Sequence, residues 1–164
     1  MPLRPAKESD LPGILDIYNE VIANSTAVYS EAPSTLEDRA AWLKVRRDLG
    51  YPVLVAEDER GITGFATFGD FRPWHCYRFT VEHSVHIRAD QRGKGLGGIF
   101  IRALIKEAAA LGKHAMIGGI DATNAASIGL HAKLGFTRAG TLHEVGYKFG
   151  RWLDLVFMQR KLDA

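Results

Sequence analysis

Two features of the sequence could do chemistry. The first is the run Arg92-Gly93-Lys94-Gly95-Leu96-Gly97-Gly98. It follows an apolar strand pattern over residues 81–87 and a short polar turn, and it opens a long amphipathic pattern over residues 96–111. A strand, a turn and a helix start in that order make a seat for an anion. Glycine lets the backbone come close to a ligand, and the free amides and dipole at a helix N-terminus suit phosphate oxygens. Arg92 and Lys94 add positive charge where a polyanion would lie. The second feature is Glu82, an acid inside that strand. Strand alternation puts Thr80, Ser84 and His86 on its face and Val81, His83 and Val85 on the other. A carboxylate in such a place is costly unless it is solvated, paired or functional. A salt bridge to Arg72 or Arg78 is the alternative to a role as general base.

Three phosphate-binding patterns compete for the glycine run. A P-loop would close on Gly-Lys-Ser/Thr, but Ile99 and Phe100 follow Gly98, which excludes it. The dinucleotide fingerprint G-x-G-x-x-G is met by Gly93, Gly95 and Gly98, with Asp121 near the place of a ribose-binding acid. Against it stand the polar spacer of residues 88–92, where the strand should abut the turn, and a remaining chain too short for two mononucleotide halves.

The third pattern is Arg92-x-x-Gly95-x-Gly97, and through it the chain resembles the GNAT superfamily of acyl-CoA-dependent N-acyltransferases. The run Asn124-Ala125-Ala126-Ser127-Ile128-Gly129-Leu130-His131-Ala132-Lys133-Leu134-Gly135-Phe136 is similar to that superfamily's second signature, and Arg4-Pro5-Ala6 followed by Asp10 to its N-terminus. More narrowly, Phe71-Arg72-Pro73 and the segments 77–85 and 146–154 resemble the phosphinothricin and methionine sulfone N-acetyltransferase group. The resemblance implies acetyl-CoA as co-substrate. Its pyrophosphate would lie on Arg92, Gly93, Lys94, Gly95, Leu96, Gly97 and Gly98. Backbone groups of Val85, His86 and Ile87 would hold the pantetheine arm as an added strand, with Asn124 facing it. His131 stands where many members carry a tyrosine that protonates the departing thiolate, and Lys133 could reach a phosphate or the adenine. Glu82 would take the proton of the amine through a water.

Each of these residues has a plainer reading. Asn124 is a favoured helix cap, His131 could be a packed core side chain, and Lys133 a solvated one. If the acceptor is an amino acid, its carboxylate needs a bidentate cation, and Arg72 is the candidate, with Trp74, His75, Tyr77 and Thr80 around it. Trp74 and Tyr77 could equally be ordinary packing. The resemblance also implies a homodimer through the late segment, where exposed Phe149 and Trp152 would suit a contact. Phosphinothricin-acting relatives often carry histidines at the positions of Phe149 and Leu153, so the acceptor preference is open.

Composition narrows the class. The chain has 164 residues, 46% of them hydrophobic and 24% charged, which suits one globular domain, residues 1–164. Its 21 basic and 19 acidic residues give a net charge of +2, too balanced to argue for nucleic acid. One cysteine, Cys76, excludes an internal disulfide and fits a reducing, cytoplasmic setting. We see no secretory signal and no apolar run long enough for a membrane. The six histidines show no ligand spacing that would hold a metal.

The elements that must position these residues follow in order. Residues 3–5 read as a short strand. Asp10 caps a helix whose face carries Leu11, Ile14, Leu15, Tyr18 and Ile22. Residues 23–33, with Thr26 and Tyr29, read as a solvated connection or a cleft border. Ser34-x-x-Glu37 reads as a capping box for a second helix that carries the apolar residues Leu36, Ala40, Leu43 and Val45. Strands follow at residues 52–56, 62–68, 81–87, 114–120, 137–147 and 152–160, with helices after Gly95 and Asn124. The expected architecture is an α/β domain, a mixed, mostly antiparallel sheet of about seven strands flanked by about four helices, to which the resemblance adds a splayed central strand pair. The function expected is acetyl transfer to the α-amino group of a small amino-acid analogue. The alternatives are a protein, peptide or polyamine acceptor, or a sensor that binds acyl-CoA or a dinucleotide without turnover.

Overall fold

The computed structural model describes residues 2–162. Its strands are β1 (Arg4–Pro5), β2 (Val53–Asp58), β3 (Gly61–Asp70), β4 (Thr80–Ile87), β5 (Ala115–Asp121), β6 (Thr137–Lys148) and β7 (Arg151–Lys161). They form one sheet in the order β1-β2-β3-β4-β5-β7-β6. Four helices flank it: α1 (Leu11–Asn24), α2 (Leu36–Asp48), α3 (Leu96–Ala110) and α4 (Ala125–Lys133). Neighbouring strands are antiparallel except β4 and β5. The parallel step arises because α3 connects those two strands as a crossover, which a tight turn cannot do.

Two cores lie on opposite faces of the sheet. Phe100, Ile101 and Leu104 of α3 pack with Phe68, Val81, Met116 and Val156. On the other face, Leu11, Ile14 and Ile17 of α1 and Leu43 of α2 pack with Val55 and Phe65. Sequence periodicity locates α1 correctly, though Ile17 and Val21 are buried more deeply than Leu15 and Tyr18.

Helix α2 departs from expectation. Leu36, Ala40 and Val45 are exposed, and the inner stripe is Arg39, Trp42, Leu43 and Arg46. Long basic side chains can bury their stems while the head finds a polar or aromatic partner. The Arg39 guanidinium lies 4.2 Å from the Tyr18 ring centroid and 4.8 Å from that of Trp42. Apolar residues alone therefore mark the wrong face of this helix. Its capping box is also one residue later, with Thr35 Oγ1 accepting from the Asp38 amide and Asp38 accepting from that of Thr35.

Asp10 does not cap α1 with its side chain. It accepts from the Lys7 amide and from both terminal nitrogens of Arg4, at 2.8 and 2.9 Å. That arrangement ties the first strand to the helix start and holds the Asp10 carboxyl below its usual range, chiefly through the Arg4 hydrogen bond.

The residues between α1 and α2 are not a solvated connection. Lys148, fully buried on β6, donates from Nζ to the carbonyls of Ser25 and Val28, both at 2.7 Å. Tyr29 donates to the Asp154 carbonyl at 2.9 Å, and its ring occupies the space a side chain at Gly146 would need. This connection is clamped onto β6 and β7.

The prediction from this packing concerns Gly64, opposite Ile87 in the β3–β4 ladder. A Cβ there would stand 2.9 Å from both Ile87 Cδ1 and Phe100 Cε2 and 3.1 Å from the His86 carbonyl. Gly64→Ala is expected to cost about 1–3 kcal/mol through overpacking. Thermal unfolding should show a Tm lower by roughly 2–10 °C; an unchanged Tm would mean that α3 is not pressed against this end of β4.

Candidate active site

Strands β4 and β5 pair only at Thr80↔Ala115, Val81↔Met116 and Glu82↔Ile117. Beyond Glu82 they part, and residues 83–87 border a cleft of about 940 Å³. The parting leaves polar backbone groups on one side of β4 without a strand opposite, which is what an extended amide-bearing ligand requires. His83, Ser84, Val85, His86 and Ile87 line one wall; Gly118, Gly119, Ile120 and Asp121 of β5 line the other. Ser25, Thr26 and Ala27 close a side, held there by the Lys148 clamp. Of the two readings of the 23–33 segment, the cleft border is the one realised.

At one end of the cleft the chain leaves β4 and enters α3 through the glycine run. Gly93 and Gly95 have φ of 75° and 84°, conformations that favour glycine. Gly97 and Gly98 serve a different need. A Cβ on Gly97 would meet a Leu130 methyl of α4 at 3.3 Å, tighter than an ordinary contact, so its smallness lets α4 approach the start of α3; one on Gly98 would stand at ordinary contact distance, 3.5 Å, from the other methyl. Gly95 is the N-cap of α3 and offers no side-chain acceptor, which leaves the amides of the first turn for a ligand. Gly93, Gly95, Leu96, Gly97 and Gly98 all line the cleft.

Arg92 also lines it, but its head is engaged. Nε donates to the Ile87 carbonyl at 3.0 Å and one terminal nitrogen pairs with Glu20 of α1 at 2.5 Å. Arg92 thus ties the loop to β4 and α1. Lys94 and Lys133 are exposed and are not among the cleft-lining residues. Asn124 does both things its type allows: Oδ1 accepts from the Ser127 amide as a helix cap, and the residue lines the cleft.

Glu82 sits where the strands begin to part. Its Oε2 is 3.2 Å from where a Cβ on Gly119 would be, so the glycine makes room for the carboxylate. Glu82, Ser84, Arg46, Gly69 and Asp70 line a smaller depression of about 240 Å³ beside the cleft. Burial pushes the Glu82 carboxyl above its usual range, and the positive charge of Arg72 opposes that rise. No ion pair with Arg72 or Arg78 is formed by Glu82 among the described residues. Arg72 acts through space, its guanidinium 4.6 Å from the Phe71 ring centroid.

Trp74, His75 and Tyr77 are exposed on the turn before β4 and do not line the cleft. Thr80 is half-buried at the start of β4, two residues from Glu82 on the same face. His86 turns away from the cleft into a cage of Tyr18 and Phe65, with ring centroids 5.6 and 5.2 Å distant, and burial pushes it down to about 4. Only its backbone faces the cleft. His131 is buried in the last turn of α4 and lines the cleft. Nδ1 stands 2.7 Å from the Ser127 carbonyl, and Nε2 is 2.9 Å from Nε2 of His83.

Three residues escaped the sequence reading: His83, Arg46 and Lys148. Strand alternation put His83 opposite Glu82, and the signal was there: the face away from Glu82 is the face α4 must cover. Arg46 and Lys148 gave no sequence signal, because a buried basic side chain reads as a solvated one. Among the described residues no group of three or more histidine, cysteine, aspartate or glutamate side chains could hold a metal.

Residues 3–157 match an acetyltransferase (GNAT) domain. An L-methionine sulfoximine/L-methionine sulfone acetyltransferase of Pseudomonas aeruginosa is 54% identical over 162 residues, covering 98% of this chain and 94% of its own. A phosphinothricin N-acetyltransferase of Alcaligenes faecalis is 42% identical, covering 99% and 83% respectively. The solved structure of a Salmonella typhimurium acetyltransferase with its cofactor acetyl-CoA superposes with a TM-score of 0.97 at 46% identity, over 100% of this chain and 95% of that one.

The geometry of the loop yields a prediction. In Gly95→Ala the left-handed backbone becomes strained, by about 1 kcal/mol or more for a residue with a Cβ. CoA titrated by calorimetry should bind about tenfold more weakly, because relief of the strain rotates the first-turn amides. Unchanged affinity would exclude this end of α3 as the phosphate seat.

Proposed function

The chain belongs to the GNAT acetyltransferase family, and on that premise we propose that it moves the acetyl group of acetyl-CoA onto the α-amino group of a small amino-acid analogue of the methionine sulfoximine, methionine sulfone or phosphinothricin type. The single observation that carries this reading is the parting of β4 from β5 beside Glu82, with the glycine loop at the far end of the same cleft. One end takes an anion, the middle takes an extended chain with amides, and the parting point carries a carboxylate. Those are the parts of CoA in order, with a base where its acyl end would lie.

Direct transfer needs four things: a positioned thioester, a neutral amine, a donor for the carbonyl oxygen and a proton for the thiolate. The amides of Leu96, Gly97 and Gly98, with Gly93 and Gly95 shaping the turn, bind the pyrophosphate. Arg92 steadies the loop through Glu20, and Lys94 and Lys133 lend charge from outside the cleft. Backbone groups of Val85, His86 and Ile87 hold the pantetheine, Asn124 faces it, and an amide of this strand segment polarises the thioester carbonyl. Glu82 accepts the ammonium proton through a water; its raised pKa brings it nearer that of the amine. The neutral nitrogen attacks the carbonyl carbon and gives up its second proton to solvent through the same water and Glu82, the carbon–sulfur bond breaks, and His131 supplies the proton that the sulfur takes up.

The acceptor's carboxylate is taken by Arg72, with Arg46 lending a second positive charge beside Glu82 and with Thr80, Trp74, His75 and Tyr77 forming the outer pocket. The described chain works as a single domain. The two-residue turn at Phe149 and Gly150 projects between β6 and β7, and Leu142, Val145, Tyr147, Phe149 and Trp152 are exposed around it. A patch of this kind suits a contact with a second copy of the chain. No described helix is long and apolar enough to cross a membrane, and with a lone, exposed Cys76 the assignment is to the cytoplasm.

Free-thiol release from acetyl-CoA tests the reaction. Release should depend on methionine sulfoximine, methionine sulfone or phosphinothricin and be low with a lysine peptide or a polyamine. Release only with the peptide or polyamine would transfer the acceptor assignment to them, and CoA binding without release would make the protein a sensor.

Glu82 supplies a pH test. Its base form is needed, so kcat/KM should fall as pH drops through the raised pKa. In Arg72→Gln the opposing charge is lost, and the acidic limb should move to higher pH while the KM for the acceptor rises. Glu82→Gln should lower kcat by about 10²–10⁴-fold with CoA affinity retained. A carboxyl whose folded pKa is raised binds its proton more tightly in the folded state, so it favours folding at low pH and loses that benefit as pH rises through the folded pKa. Removing the charge should therefore raise Tm at neutral pH, and a lowered Tm would contradict the burial argument.

A further inference from the structure

His83 leaves β4 on the face opposite Glu82, and its ring fills the wedge where β4 and β5 part. Three polar contacts run in line through it. Nδ1 is 3.1 Å from the Ile117 carbonyl, Nε2 is 2.9 Å from Nε2 of His131, and Nδ1 of His131 is 2.7 Å from the Ser127 carbonyl. Ser127 Oγ lies farther from that nitrogen, at 3.4 Å. Carbonyl oxygens only accept, so both Nδ1 atoms carry hydrogen. A neutral imidazole has one N–H, so in two neutral rings both Nε2 atoms would be bare and their lone pairs would face each other. The central contact is a hydrogen bond only if a third proton is present.

The surroundings fit such a pair. Both rings are buried, and Phe136 packs against both, its centroid 5.4 Å from that of His83 and 5.1 Å from that of His131. A Cβ on Gly118 would stand 2.9 Å from His83 Cε1 and 3.3 Å from His131 Nε2, so glycine is what allows the rings to meet beside β5. The groups contacting the pair from β5, α4 and the approach to β6 are uncharged: Ile117, Gly118, Ser127 and Phe136. The charged residues lining the same cleft are Asp121, Arg92 and Arg151. Asp121 is held by Thr123 and Arg92 by Glu20, while Glu82 projects from the other face of β4.

We propose that His83 and His131 form one proton-carrying pair, three protons on two rings, in which His83 is a positioning residue that holds the acid proton on His131 Nε2 for the departing CoA thiolate. This rests on the reading of His131 as the general acid. Burial and the neighbouring ring push His83 down to about 3 and burial lowers His131, so burial opposes the third proton as well as a fourth; what holds the third is the 2.9 Å contact between the two Nε2 atoms, with His83, disfavoured as a cation by burial and by its neighbour, as the acceptor. A thiolate is a stronger base than neutral imidazole. When the carbon–sulfur bond breaks, the sulfur keeps the electron pair and takes the proton from His131 Nε2. The nitrogen gives up two protons in becoming an amide, one before attack and one as the tetrahedral intermediate collapses; both leave through Glu82 to solvent, one solvent proton recharges the pair, and each turnover releases one proton net.

Ring-nitrogen spectra of ¹⁵N-histidine-labelled protein test the proton count without any substitution. At the pH of greatest activity, three of the four nitrogens of the pair should be protonated, with one hydrogen-bonded proton shifted far downfield; two protonated nitrogens would overturn the proposal. His131 acts as an acid, so kcat should fall as pH rises through the pKa of the pair. His83→Phe removes the acceptor, and Gly118→Ala wedges the rings apart. Both should move that alkaline limb to lower pH by about one unit and lower kcat on the alkaline side by about tenfold. KM for acetyl-CoA should change far less, and His83→Gln, which restores an acceptor, should recover part of the loss. An equal loss of kcat at every pH in His83→Phe would make His83 merely structural. Undiminished kcat in His131→Phe would instead remove the general-acid reading itself, a separate failure.

Discussion

The structure depends on the parting of β4 from β5. A parallel pair that stops after three residue pairs leaves backbone groups exposed inside the sheet, which water or a ligand must satisfy. The arrangement persists because both strands are secured elsewhere. β4 keeps seven antiparallel partners on β3, from Ile87 opposite Gly64 to Val81 opposite Asp70, and β5 keeps seven on β7. The ladders on either side hold the gap open, and the α3 crossover, packed on the face below, fixes the loop at its mouth.

The two faces of β4 divide the chemistry. Glu82 lies on one face and has its carboxyl pushed above the usual range; His83, its neighbour in sequence, lies on the other and has its imidazolium disfavoured. Burial causes both effects, and it acts in opposite directions because one group is charged when it loses a proton and the other when it gains one. A strand one residue thick thereby carries a carboxylate and an imidazole on opposite faces beside the cleft. Small residues opposite make this possible. Gly118 and Gly119 occupy the β5 positions facing His83 and Glu82, and a methyl at either would press on the ring or the carboxylate.

The far half of the sheet supports the cleft from a distance. Lys148 and Tyr29 fasten residues 25–29 to β6 and β7, so an irregular segment becomes a wall. The buried ammonium is compensated by two carbonyl oxygens, and burial lowers its hold on the proton. Tyr147 at the end of β6, Phe149 in the turn and Trp152 on β7 are exposed, and Phe149 also lines the cleft.

Local sequence by itself determined the elements. Alternation marked β4, glycines at 93 and 95 marked the turn that needs left-handed backbone, and the Asn124 cap marked α4, since each signal is a short-range consequence of sterics or hydrogen bonding. It also placed Glu82 as an acid inside a strand. Which charges are free was decided only by tertiary structure. Arg92 looks like a phosphate cation in sequence and is paired with Glu20, 72 residues away; Arg39 and Arg46 look solvated and line the inner face of α2. The meeting of His83 with His131, 48 residues apart, likewise exists only because β4 and β5 separate and a glycine stands where the rings converge. Short-range physics fixes what each segment becomes, but the partner of a charge or a ring is chosen by the fold, because desolvation penalises every alternative that leaves one unmatched.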